Sequence, residues 1–170
     1  MESVLSKELP KRYYIYGETG TGKSLFTRVI SAKLKSPMYK KSASGYWNGY
    51  KGEKIVVIED LDRESWEYIK YNLKKWADYD TFLSAPLRNK DTKEEIKAGE
   101  MIDPREYTLI VTSYKPLNEF LERERDRGGA GEEKMINERD ISKIERLFEV
   151  YEMKHTKLEE IKTDIEQILN

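Results

Sequence analysis

Apolar residues in this chain come in two patterns: short runs dense in β-branched and aromatic side chains, and longer stretches with apolar positions three and four apart. Arg12-Tyr13-Tyr14-Ile15-Tyr16 is of the first kind and predicts a buried strand. Leu25, Phe26, Val29, Ile30 and Leu34 then recur at helical spacing. That helix stops at Lys35-Ser36-Pro37, since proline disfavours helical geometry in the residue before it. Met38-Tyr39-Lys40 predicts a short extended piece. Within Lys54–Asp60, the run Ile55-Val56-Val57-Ile58 implies burial on both faces, as in a parallel sheet. Trp66, Ile69, Leu73 and Trp76 share one face of a helix that Asp62 is placed to cap. Tyr68 and Tyr71 flank that stripe and read as core rather than base-stacking groups.

Residues 79–86 alternate loosely, suggesting a strand, and 87–93 is a polar turn. The charged excursion up to Pro104 reads as a hairpin or a short helix. Tyr107–Ser113 predicts a third buried strand, stopped by Pro116, and Leu117–Glu124 reads as a helix. Residues 125–139, with Gly128-Gly129-Ala130-Gly131 among charges, read as a flexible loop. Beyond Asp140, Ile141, Ile144, Phe148, Tyr151, His155, Leu158, Ile161, Ile165 and Ile168 alternate steps of three and four. This predicts one long C-terminal helix with a heptad-like seam, its first half on the domain and its second half free to pair with another chain. The expected layout is a lead-in over 1–11, a core over 12–124, the loop over 125–139 and the helix over 140–170.

Composition narrows the chemistry. A length of 170 residues fits one domain with a proper core. The net charge of -1 argues against a generally polyanion-coating protein, so any nucleic-acid contact must come from a local patch. There is no cysteine and the only histidine is His155, which excludes disulfides, thiol catalysis and histidine-based metal clusters. No leader or membrane-spanning run is visible, so the expected setting is soluble and intracellular.

Between the first strand and first helix lies Gly17-Glu18-Thr19-Gly20-Thr21-Gly22-Lys23-Ser24, which fits G-x-x-x-x-G-K-[ST] at every fixed position. Glycines let successive N–H groups turn inward toward phosphate oxygens, and the helix N-terminus adds its positive dipole end. Residues Gly17 to Ser24, with Leu25, make up the expected ATP site. Lys23 would reach the β- and γ-phosphates and Ser24 would ligate Mg²⁺. Glu59-Asp60 follows the clearest strand at its C-terminal end, where α/β sheets place their chemistry. One carboxylate would hold Mg²⁺ and the other activate the attacking water. From Thr19 to Gly52 there is no acidic residue, while Lys23, Arg28, Lys33, Lys35, Lys40, Lys41 and Lys51 fall inside. A solvated face carrying the phosphate-binding groups and a nucleic-acid contact both fit that block.

The motif order indicates an α/β P-loop NTPase, an AAA+-like three-layer sandwich around a mostly parallel sheet, followed by a C-terminal helical segment. Trp47-Asn48-Gly49-Tyr50-Lys51-Gly52 running into Val56-Val57-Ile58-Glu59-Asp60-Leu61 resembles the W-(D/N)-G-Y-x-G…V-V-I-D-D-F signature. That signature belongs to the superfamily 3 helicase domain of Rep, the replication initiator of circular single-stranded-DNA viruses and related plasmids. Val111-Thr112-Ser113-Tyr114-Lys115-Pro116 resembles the family's motif C, I-T-S-N-x-x-P. The resemblance runs from about Tyr13 to about Tyr151.

It implies a metal-side role for Glu59, a general-base role for Asp60 and strand contacts by Arg88 and Lys90. It also implies an arginine finger at Arg146, within Ile144-Glu145-Arg146-Leu147-Phe148, where a plain surface arginine is the competing reading. The implied partners are single-stranded DNA, with RNA open because related RNA-virus helicases share the motif order, and a homo-oligomeric, hexameric ring without a membrane. The implied setting is the host nucleus or cytoplasm for a virus, or the cytoplasm for a plasmid. Two departures stand out. Tyr114 replaces the asparagine that positions water at the γ-phosphate, leaving Ser113 or Asn118 as substitutes. No nicking-domain histidine pair or tyrosine motif precedes residue 13 and the family's collar is nearly absent, so the expectation is either the helicase domain of a longer protein or a stand-alone relative. A nucleotide-binding assembly or switch module with little hydrolysis stands as the alternative, and a small-molecule kinase lacks any second-substrate signature.

Overall fold

In the computed structural model, residues 9–80, 83–84, 87–88, 95–96, 101–127 and 136–170 are described. Five strands build one sheet: β1 (Arg12–Tyr16), β2 (Met38–Lys40), β3 (Ile55–Leu61), β8 (Thr108–Ser113) and β9 (Glu149–Glu152). Their order is β2-β3-β8-β1-β9, and every pairing is parallel. All five C-terminal ends therefore share one edge of the sheet, which is where the candidate chemistry gathers.

Helices cover both faces, giving the expected three-layer α/β sandwich. Strand residues alternate between two cores. Tyr13, Ile15, Ile55, Val57 and Ile110 pack with Phe26 and Ile30 of α1 (Lys23–Leu34) and Ile161 and Ile165 of α5 (Leu158–Leu169). Tyr14, Val56, Ile58, Leu109 and Val111 pack with α2 (Arg63–Ala77), α3 (Leu117–Asp126) and α4 (Glu138–Leu147). This two-sided burial is why β3 and β8 carry unbroken apolar runs. Asp62 caps α2 as expected, in a reciprocal box with Ser65.

Between α2 and β8 the chain forms a hairpin. Strand β4 (Leu83–Ser84) pairs antiparallel with β7 (Met101–Ile102), and β5 (Leu87–Arg88) with β6 (Glu95–Ile96). The charged excursion supplies only the returning rungs, β6 and β7; the outgoing ones, β4 and β5, lie in the expected strand over 79–86 and at the start of the expected polar turn over 87–93, where Leu87–Arg88 is paired strand rather than turn. A one-turn 3-10 helix at Pro104–Glu106 leads back into β8. Of the loop expected over 125–139, the glycine run at 128–131 lies outside the described residues, while Arg125 and Asp126 end α3 and Glu138 and Arg139 begin α4.

Two expectations fail. Residues 140–170 do not form one helix: α4 ends at Leu147, β9 follows, and α5 begins at Leu158. Glu149-Val150-Tyr151-Glu152 has no period-two apolar pattern of its own; pairing with β1 at the sheet edge makes it a strand, and its burial alternates only there. The apparent seam thus splits. Ile141, Ile144 and Phe148 enter one core, and Ile161 and Ile165 enter the core on the other side of the sheet, so the second half is not free to pair with another chain. His155 lies in the β9–α5 connection, where its Nδ1 is 2.7 Å from Asp164 Oδ2 and that carboxylate raises its pKa. Tyr68 and Tyr71 are exposed at 62% and 42%, while their helix neighbour Lys70 is buried. Lys70 turns inward because the Glu124 carboxylate, fully buried on α3, accepts its ammonium at 3.2 Å and the Trp66 indole N–H at 2.9 Å.

Candidate functional site

The phosphate loop joins β1 to α1. Gly20 and Gly22 have φ of 84° and 92°, the left-handed region that side-chain-bearing residues rarely occupy. Neighbours restrict the loop as well. A Cβ on Gly17 would strike the Met153 carbonyl, and one on Gly22 would strike the Ile161 side chain. The end of β9 and helix α5 therefore form a wall along the loop. Motif reading gave no sign of that wall, because both residues lay in the stretch read as a seam.

Lys23 folds back on its own loop. Its Nζ donates to the carbonyls of Gly17 at 2.5 Å and Glu18 at 2.8 Å. Burial pushes its pKa down, and the negative charge of Asp60 pulls the other way. The Thr21 hydroxyl donates to the Glu18 carbonyl at 2.7 Å, bracing the same turn. Ser24 is exposed at the start of α1, and Leu25 packs partly into the core behind it.

The two carboxylates of β3 face different cations. A register shift interrupts the β3–β8 ladder between Ile58 and Leu61, and Asp60 takes a left-handed φ of 54°. This bulge turns the strand's end so that Asp60 acts on Lys23. Glu59 instead lies 3.5 Å from Lys40 Nζ, at the end of the neighbouring strand β2. Sequence reasoning grouped Lys40 only with the basic block.

The tip of β8 holds this arrangement together. The Asp60 N–H donates to Thr112 Oγ1 at 3.0 Å. The Ser113 hydroxyl donates to the Leu61 carbonyl at 2.6 Å and accepts from the Lys115 N–H at 3.0 Å. The Gly17 N–H donates to the Ser113 carbonyl at 3.1 Å. Ser113 is fully buried and already bonded, so it is not available to replace the asparagine missing at Tyr114. Asn118 and Tyr114 are exposed, with Lys115 Nζ 5.4 Å from the Tyr114 ring.

The structure thus brings Gly17–Leu25, Glu59, Asp60 and Thr112–Tyr114 to one edge of the sheet. Arg146 does not join them. It is exposed in the last turn of α4, just before β9 starts beside Tyr13, and so lies toward the opposite edge. Arg88 sits in β5 in register with Glu95, and Lys90 lies outside the described residues.

The basic block divides. Arg28, Lys33, Lys35 and Lys51 are exposed, whereas Lys41 is buried beneath the Trp47 signature. Its Nζ donates to the carbonyls of Ser42, Ser44 and Tyr46 at 3.2, 2.5 and 3.0 Å. The indoles of Trp47 and Trp76 lie 5.2 and 4.1 Å from it. Trp47 is itself buried, stacked on Tyr39 and edge-on to Tyr50 and Trp76, so the signature builds a core wall beside β2.

Among the described residues no cluster of three or more histidine, cysteine or acidic side chains could hold a metal alone. The oxygen donors gathered at this edge, the Ser24 hydroxyl and the Glu59 and Asp60 carboxylates, are of the kind Mg²⁺ takes beside its waters and substrate phosphates.

The RNA helicase family model matches residues 13–94, the stretch holding the phosphate loop and both carboxylates. This match supports a superfamily 3 helicase domain. The chain is also similar to genome polyproteins of hepatitis A viruses. It is 27% identical over 122 residues to that of human hepatitis A virus genotype IB (isolate MBB), 66% of this chain and 5% of the relative. It is 26% identical over the same span to those of human genotype IIA (isolate CF-53) and simian genotype V (isolate AGM-27). The chain thus corresponds to a small part of the curated relatives it matches. No helix among the described residues is long and apolar enough to cross a membrane.

Proposed function

We propose that this chain is the ATPase motor of a superfamily 3 helicase or translocase acting on single-stranded nucleic acid. The observation that carries the reading is the meeting of the phosphate loop, Lys23, Asp60 and Glu59 at one sheet edge, tied by the hydroxyls of β8. Mg-ATP would supply the phosphoryl group whose transfer to water drives movement. Lys23 would leave the Gly17 and Glu18 carbonyls and turn its ammonium to the β- and γ-phosphates. The loop N–H groups from Gly20 to Ser24 would take the remaining oxygens at the start of α1. The Ser24 hydroxyl and one carboxylate would hold Mg²⁺.

Glu59 and Asp60 would divide the metal-holding and water-activating roles, and the Rep resemblance gives the metal side to Glu59, 3.5 Å from Lys40 Nζ, and the general base to Asp60. Arg146, toward the far edge, could act on a nucleotide only across a subunit boundary, which fits a ring of copies, six by that resemblance. Arg88, in β5, and Lys90 are the candidate nucleic-acid contacts.

The description of the matching family favours RNA as the strand. The Trp47–Asp60 likeness to Rep, and with it a replication-initiator role on single-stranded DNA, remains the finer alternative. A second reading rests on Tyr114, whose exposed phenol offers no amide to the γ-phosphate: a nucleotide-binding switch that barely turns over. Single-turnover hydrolysis by wild type and Tyr114→Asn separates them. A fast wild type supports the motor. A slow wild type accelerated by asparagine supports the switch.

A further inference from the structure

Arg12 opens β1 in a segment that reads as apolar, yet its guanidinium is buried in the protein at 1% exposure. Its contacts reach both ends of one excursion. Nε donates to the Ala77 carbonyl at 2.8 Å, where α2 ends. The terminal nitrogens donate to the carbonyls of Pro104 and Tyr107, where the chain returns to β8, and to that of Lys11 at 3.4 Å. The Tyr79 and Tyr107 rings lie 4.3 and 5.1 Å from the guanidinium carbon. The two tyrosines close the same joint, Tyr79 donating its hydroxyl to the Pro10 carbonyl and Tyr107 to the Trp76 carbonyl, each at 2.5 Å. Between these two ends lie the rungs of β4 with β7 and β5 with β6.

We propose that Arg12 is a positioning residue that clamps the base of the Arg88 hairpin onto the strand leading into the phosphate loop. Both departing and returning segments bond to this one side chain. The hairpin base is then carried by β1, whose other end, Tyr16, runs into the loop at Gly17. Only a planar fork of five N–H donors serves carbonyls from separate segments in one plane while its faces stack on aromatic rings. Lysine has the charge without the fork. The proposal rests on the nucleotide-motor reading above, because clamping matters only if nucleotide at the loop must be felt at the hairpin.

Hydrogen exchange on the full chain, with and without a non-hydrolysable ATP analogue and without nucleic acid, tests it. In wild type the analogue is expected to slow exchange at residues 17–25 and to change exchange across 83–102. In Arg12→Lys the loop response is expected to remain and the hairpin response to shrink by about fivefold or more, the scale of a lost coupling. Tyr79→Leu removes one stacking face and leaves the carbonyl bonds, so it should give an intermediate loss and carries the test if Arg12→Lys does not fold. A hairpin response of wild-type size in the variant that folds overturns the clamp. So does a wild-type loop response with no hairpin response. A wild-type loop that does not respond overturns the nucleotide reading instead, and the clamp falls with it.

Discussion

Asp60 holds a left-handed backbone that costs a residue other than glycine about 1 kcal/mol or more, and strain of this kind concentrates at functional sites. The bond from its N–H to Thr112 keeps it there. Thr112→Val removes that acceptor at nearly constant shape and is expected to cost about 1–2 kcal/mol in stability. It should also weaken hydrolysis, and more at low than at saturating Mg²⁺ if Asp60 takes the metal side; a Mg²⁺ titration of the rate checks this. Lys41 offers a pH test. Burial lowers its pKa to about 7 from 10.5, while three carbonyls and two indoles favour the charged form. Between those two pH values the unfolded chain keeps a proton that the folded chain has given up. Stability is therefore expected to rise with pH across that window, and below about 7 the burial penalty is felt in full. Indole emission from Trp47 and Trp76 should titrate with a midpoint near 7, and Lys41→Met should abolish the titration.

At the scale of elements, the contact between Gly22 and Ile161 joins the phosphate loop to α5. Gly22→Ala meets both the left-handed φ and the Ile161 side chain, so a loss of about 2–3 kcal/mol is expected. Ile161→Ala leaves a cavity worth about 2–4 kcal/mol. The double variant should cost less than the sum, because one change removes the other's clash, and chemical denaturation of the four proteins measures the difference. These elements also mark what the sequence made legible. The phosphate loop, β3 and β8 announce themselves locally, through fixed spacing and apolar runs. Strand β9 did not, because Phe148, Tyr151 and Ile161 fit a helical step as well as their true places, and only pairing with β1 makes the stretch a strand. Arg12, Lys41 and Lys70 were hidden for the same reason. A buried cation is recognisable only from its partners, and those lie far along the chain or in loop backbone.

For the whole molecule, a parallel sheet with its loop, carboxylates and β8 tip at one edge and Arg146 toward the other would give each copy half of the interface that the proposed ring requires. Arg146→Ala is expected to leave nucleotide binding intact and to lower hydrolysis by about 10³-fold, the scale of a trans arginine. Mixed into wild type, it should lower activity more steeply than its mole fraction. A linear fall would assign Arg146 to the plain surface. The central claim is tested most directly by Mg-ATP hydrolysis in the wild type and Lys23→Ala, with and without single-stranded RNA. The account predicts hydrolysis that the strand stimulates, and a loss of about 10²-fold or more in Lys23→Ala. Equal rates in the two proteins, or a wild-type rate indifferent to the strand, would contradict it.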